Sequence, residues 1–196
     1  MSTLTRRSSR LATWISVPTA IVAAGIVVST TSYAAFSDTT SADGNSWSAG
    51  IVRLADDDAA GVLFTAENAK PGDGGTNCIS VTSTGSLASD VRLYATDVAA
   101  SAGLDDAIEL AIEQGAGGGF GSCDGFSPQI TLFTGSLAGF TGAHSSFSDG
   151  IATWSPTGGA AETRTYRVTW KLSDAAPNDV QGGTATTSFV WEAQNS

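Results

Sequence analysis

Few residues in this sequence could do chemistry. Among its 196 residues the chain has one histidine, His144, and two cysteines, Cys78 and Cys123. One imidazole cannot build a histidine-rich metal centre, and two cysteines with one histidine do not complete a four-ligand zinc site. A Ser-His-Asp triad through His144 lacks the G-x-S-x-G elbow that presents such a serine. We therefore predict a non-enzymatic protein without a metal or a cofactor.

Two short runs could bind an ion or a phosphate, but each lacks part of the pattern. Asp56, Asp57 and Asp58 offer the carboxylate oxygens that calcium prefers, without the alternating ligands and central glycine of a calcium loop. Residues 115–121 are rich in glycine, but no Lys-Ser/Thr pair follows them. We expect a solvated turn at the first run and an ordinary loop at the second.

Acidic and aromatic residues leave two further activities open. Carboxylates that hydrolyse glycosides pair in space rather than in sequence, so the pattern does not exclude them. Tryptophans could line a sugar-binding face: Trp47, Trp154, Trp170 and Trp191. Trp170 and Trp191 lie in alternating segments, which favours a place in the core.

The N-terminal residues have the order of a secretory signal. Arginines at positions 6, 7 and 10 precede an apolar run over residues 11–28, and the small-residue site Ser32-Tyr33-Ala34 follows. This order predicts a signal helix in residues 1–34, with signal peptidase cutting between Ala34 and Ala35. The alternative is a retained membrane anchor, since the run approaches the length of a membrane span. We expect a secreted protein at the cell surface or in the extracellular matrix.

Export determines how the charge and the cysteines are interpreted. The mature chain, residues 35–196, keeps all 19 acidic residues and 6 of the 9 basic ones, so its net charge is 6 − 19 = −13. This charge repels nucleic acid, which we exclude as a partner. An oxidising compartment favours a disulfide between Cys78 and Cys123, with two independent buried thiols as the alternative.

The mature chain alternates apolar and polar residues, which is typical of half-buried strands. The clearest case is residues 165–172, where Tyr166, Val168, Trp170 and Leu172 share one face. Further strands are predicted at residues 47–54, 61–66, 78–82, 91–96 and 184–192. Residues 108–113 fit a helix or a strand, and we favour a strand after a short helical turn near Leu104.

The fold class follows from many short strands separated by Gly- and Pro-rich turns. We predict an all-β protein, a sandwich of two antiparallel sheets, formed by a single domain over residues 35–196. The pattern does not distinguish jelly-roll from immunoglobulin-like wiring. Residues 115–150 are the least regular, and we expect an excursion from the sandwich there.

Several ordered motifs resemble the TasA/camelysin (CalY) family of exported matrix proteins. Ala35-Phe36-Ser37-Asp38 matches the start of the mature chain, and residues 49–54 match the strand that follows it. Lys70-Pro71-Gly72-Asp73 resembles an early turn of the family, and Thr84-Gly85-Ser86-Leu87 its Gly-Ser-Leu element. Residues 181–194 resemble its final strand.

The resemblance implies a jelly-roll-like sandwich and a role as a biofilm-matrix protein that forms fibres. In the family, a freed N-terminal segment adds a strand to the next subunit. Here Ala35, Phe36, Ser37 and Asp38 would begin that donor strand, with Phe36 as its apolar anchor. The implied partners are further copies of the chain, head to tail, and possible cell-wall or matrix polysaccharide.

The alternatives to fibre formation concern the N-terminal segment and the surface. Residues 35–45 could be a flexible terminus, and the domain could be a monomeric module that binds carbohydrate or a cell surface. A third option is a hydrolase with two carboxylates in a cleft. The endopeptidase activity described for camelysin members does not carry over, because the chain has no His-Glu-x-x-His motif.

Overall fold

The computed structural model of the protein describes residues 50–59 and 61–195. The predicted signal segment, its cleavage site at Ala34 and Ala35, and the donor strand at residues 35–38 lie outside these described residues. The elements are β1 (Leu54–Asp56), β2 (Gly74–Ser83), β3 (Ser89–Ala100), α1 (Leu104–Ala107), β4 (Ile108–Ala116), β5 (Ser127–Ser136), α2 (Leu137–Ala143), β6 (Ile151–Trp154), β7 (Glu162–Leu172) and β8 (Ala185–Asn195).

The strands form two sheets whose described pairs are all antiparallel. The larger sheet has the order β1-β2-β7-β4-β5, and the smaller sheet has the order β6-β3-β8. The chain crosses between the sheets after β2, β3, β5, β6 and β7. The predicted all-β sandwich of two antiparallel sheets is therefore confirmed.

The core lies between the sheets and is built by the alternation seen in the sequence. In β7, Tyr166 and Val168 are completely buried and Leu172 nearly so. Leu93 of β3 and Ile112 of β4 are also inaccessible to solvent. Because successive side chains of a strand point to opposite faces, polar residues between them lie on the outside of the sandwich.

The ambiguous segment after residue 103 has both predicted parts. α1 is a single turn that ends at Ala107, and β4 begins at the next residue, Ile108. Gly103 enters the turn with a φ of 67°, a left-handed conformation that glycine adopts easily. Within the described ranges, no helix is long and apolar enough to cross a membrane.

Three sequence predictions are wrong in detail. Of the predicted strand at residues 47–54, the described residues 50–53 form no strand, and β1 begins only at Leu54. The backbone there contacts the turn after β2, where the Ser86 N–H donates to the Ile51 oxygen.

Residues 61–66 form no strand: Leu63 and Phe64 both pack against the core, whereas neighbouring residues of a strand must face opposite ways. Residues 115–150 are not all irregular, since they contain β5 and α2. β5 was hidden because most of its residues are exposed, which removes the apolar alternation.

Candidate functional site

β8 is the outermost strand of the smaller sheet and provides the first wall of the candidate site. It has eleven residues, and among the described strands it pairs only with β3. The outer edges β1 and β6 have three and four residues, and such short edge strands offer little backbone to another chain. β8 therefore presents a long row of backbone N–H and C=O groups to its outer side.

A large cavity of about 1150 Å³ lies beside β8 and opens between the two sheets. Its floor comes from apolar side chains of the larger sheet, including Ile79, Val81 and Leu110. Phe189 and Trp191 of β8 line the other side. We call this cavity the groove. Its walls combine an apolar surface with a strand edge that has no partner among the described strands, and this combination suits an extended peptide.

Residues 61–69, which we call the strap, lie along the groove with β1. Leu63 packs against both clusters of the core, and Phe64 meets Trp170 edge-on at 6.5 Å between ring centroids. Val62 also lines the groove but remains 71% exposed. The strap thus has two anchored side chains and one large apolar side chain that is left in solvent.

The three consecutive aspartates have different roles, which the sequence did not indicate. Asp57 accepts backbone hydrogen bonds from Ser80 at 2.8 Å and from Phe120 at 2.8 Å, so it joins β2 to the glycine-rich loop. Asp56 and Asp58 line the groove instead. Burial, and then a hydrogen bond with Asp58, raise the pKa of the Asp56 carboxyl above its usual value.

This arrangement limits the chemistry of the acidic residues. Because Asp57 turns to the backbone, the triplet does not converge, and no three His, Cys, Asp or Glu side chains in the described ranges could hold a metal ion together. The Asp58 carboxyl lies close enough to that of Asp56 to contribute to its raised pKa.

Cys78 and Cys123 form the predicted disulfide. It ties the loop before β5 to the outer face of β2, where Cys78 is completely buried. The side chain of Asn77 strengthens the same junction by accepting a hydrogen bond from the backbone N–H of Gly121 at 3.0 Å. The glycine-rich loop therefore covers the part of β2 that the short β1 leaves free.

His144 has a structural environment. Its ring lies near the rings of Phe133 and Phe140, and its Nδ1 atom is 2.6 Å from the backbone oxygen of Asp149. The Asp149 carboxylate instead accepts hydrogen bonds from Ser145 and Ser146, and these bonds lower its pKa. The carboxylate does not orient the imidazole, so these contacts do not form a catalytic triad.

The described tryptophans do not form an exposed sugar-binding face. Trp154, Trp170 and Trp191 are each only partly exposed. Trp154 and Trp191 pack against the ring of Tyr166 in the core, at 6.4 and 5.0 Å between ring centroids. Trp47 lies outside the described residues. The feature expected of a carbohydrate-binding module is thus absent from the described part of the chain.

Comparisons with known proteins add no family and no relative. No protein-family model matches the chain, and a search of curated proteins gives no significant match.

Proposed function

We propose that the protein is a secreted structural protein of the extracellular or biofilm matrix, and that its copies assemble into filaments by donor-strand addition. Residues 35–45 of one copy would enter the groove of the next and pair with β8. Membership of the TasA/camelysin family, cleavage after Ala34 and a non-enzymatic role are parts of this proposal. The observation that supports it is a long strand edge, unpaired among the described strands, beside an apolar groove.

Length and residue type make residues 35–45 a suitable occupant. The segment has 45 − 35 + 1 = 11 residues, and β8 also has eleven. It contains no proline, so no N–H donor is missing within it, and its alternate residues could pair with the edge of β8. Phe36 is its only large apolar side chain, and it would be the anchor in the groove.

The geometry of such a contact leads to filaments. The donor segment and the groove are different surfaces of the same chain, so the contact is head to tail. A contact of this type gives an open filament when the rotation between copies does not close a ring. Before cleavage, the signal segment precedes Ala35 directly and would keep the donor strand from entering a neighbour. Export would then be the step that permits assembly.

The test compares the mature chain, which begins at Ala35, with a chain that lacks residues 35–45. We expect filaments by electron microscopy from the first and folded monomers from the second. Phe36→Ala should raise the protein concentration needed for assembly at least tenfold, because it removes the only large anchor. Thr39→Ala in the same segment is the matched control and should change that concentration less than twofold.

Two results would contradict the proposal. One is a mature chain that stays monomeric at every concentration tested. The other is a monomeric mature chain in which the amides of residues 35–45 are protected from hydrogen exchange, since the segment would then fill the groove of its own chain. A monomer that binds cell-wall polysaccharide would favour the surface-binding alternative.

A further inference from the structure

The strap has the composition of a strand but not its conformation. Its first part, Gly61-Val62-Leu63-Phe64-Thr65-Ala66, contains three residues with high strand propensity, Val62, Phe64 and Thr65. In the structure these residues are irregular. Leu63 and Phe64, although adjacent, both pack against the core. The local sequence and the observed backbone are therefore in conflict, which is uncommon in natural proteins away from functional sites.

The backbone of the strap is almost without hydrogen-bond partners in the described part of the chain. Between residues 62 and 69, the single bond to a described residue is the one that the Leu63 oxygen accepts from the Asn77 side chain, at 2.9 Å. Turns hold both ends: Gly61 donates to the oxygen of Asp58, and Lys70 donates to the Asp73 side chain. The strap is thus held in place at its ends, while most of its backbone makes no hydrogen bond to the residues that the structure describes.

The strap and the edge strand β8 line the same groove. A strand that pairs with β8 would present its second edge away from β8, and that edge needs its own partner. Along this groove the strap carries N–H and C=O groups that are unpaired among the described residues, and its Val62 side chain gains little from packing while it is 71% exposed. Pairing would satisfy both backbones and bury this valine.

We propose that residues 61–66 become a β-strand when a donor strand enters the groove, so that the incoming segment is paired on both sides, with β8 and with the strap. This inference rests on the proposed function. It adds a conformational change in the receiving subunit: Val62 and Phe64 share one face of a strand, so burial of Val62 requires Leu63 to turn to the opposite face as the strand forms.

The direct test is hydrogen exchange measured by mass spectrometry on the mature protein, as dilute monomer and as filaments. The amides of residues 62–66 should exchange at least tenfold more slowly in filaments, because they become paired. The amides of residues 127–131 in β5 are the control and should be unchanged. Filaments in which residues 62–66 exchange at the monomer rate would overturn this inference and leave the proposed function intact. An absence of filaments would remove both.

A pair of substitutions tests the burial of the strap. Val62→Asp should leave the melting temperature of the monomer unchanged, since the side chain is mostly in solvent, and should raise the concentration needed for assembly about tenfold. Val98→Asp is the matched control: Val98 is 48% exposed and does not line the groove. Equal effects of the two substitutions on assembly would count against a role for the strap.

Discussion

Strands β5 and β8 are both long edge strands, with ten and eleven residues, but they differ in the features that control strand addition. β5 contains Pro128, which has no N–H to donate. Its pairing with β4 shifts register twice, and each shift leaves one extra residue on β5. Proline and bulges of this kind are how natural sheets protect an edge from other chains.

β8 has none of these protections. Its sequence contains no proline, lysine or arginine, and the single register shift in its pairing places the extra residue on β3. Phe189 and Trp191 on its inner face border the groove, whereas Ile130 of β5 lies in solvent. The difference indicates that one edge of the fold is closed to pairing and that the other is suited to accept a strand.

The edge of β2 is protected differently, by the glycine-rich loop that the disulfide holds against it. Removing this disulfide should have the largest effect on stability. Replacing both Cys78 and Cys123 by alanine should lower the free energy of unfolding by about 4 kcal/mol, since the disulfide joins residues 45 apart. Urea denaturation measures this loss. The amides of β2 should also exchange faster, while those of β8 keep their rates. A loss below about 1 kcal/mol would mean that the hydrogen bonds of Asp57 and Asn77 hold the loop without the disulfide.

The side chains of the two edge strands β5 and β8 should also differ in their contribution to stability. Trp191→Ala should cost about 3 kcal/mol, because the indole packs against the buried ring of Tyr166. Ile130→Ala on β5 should cost less than about 0.5 kcal/mol, since that side chain is 55% exposed. Thermal and chemical denaturation give both values.

A third variant separates the packing of Trp191 from its polar atom. The buried Nε1 atom of Trp191 has no hydrogen-bond partner among the described residues. Trp191→Phe should therefore cost less than Trp191→Ala, since it keeps an aromatic ring and removes an unsatisfied donor. Equal costs for Trp191→Ala and Ile130→Ala would remove the distinction between the two edges.

The smallest expected effect on stability comes from a side-chain hydrogen bond that links β8 to β3. The hydroxyl of Tyr94 donates to the Glu192 carboxylate at 2.6 Å. This bond, with burial and the charge of Glu192, raises the pKa of Tyr94 to about 12 from 10.0. A pKa raised by folding means that its stabilising contribution is complete below pH 10 and is lost as the pH rises towards 12.

One substitution tests whether the loss of stability at alkaline pH comes from the hydrogen bond between Tyr94 and Glu192. Denaturation curves between pH 9 and pH 12 should show a smaller decline for Tyr94→Phe than for the unchanged protein. Burial also raises the pKa of Tyr166, so a decline of the same sign remains in the variant. Identical pH profiles for the two proteins would show that the bond between Tyr94 and Glu192 does not stabilise β8.

Much of the fold could be predicted because alternation is a local property. Residues 165–172 indicated β7, and the helical turn before β4 followed from residues 104–113. With only two cysteines, the pairing of Cys78 with Cys123 had no competitor. β5 could not be predicted because its side chains are mostly exposed and carry no clear apolar pattern. The strap was predicted as a strand because its sequence has a strand pattern, although its backbone is irregular.

The sequence by itself determined the two-sheet sandwich, the disulfide and the sites where turns break the strands, since each depends on residue type and short spacing. Only the tertiary structure decided that β8 is an edge among the described strands, that the groove lies beside it, and that Asp57 turns away from Asp56 and Asp58. The physical reason is that an edge is defined by which distant strands fail to pair with it. No local sequence pattern shows which distant strands will pair.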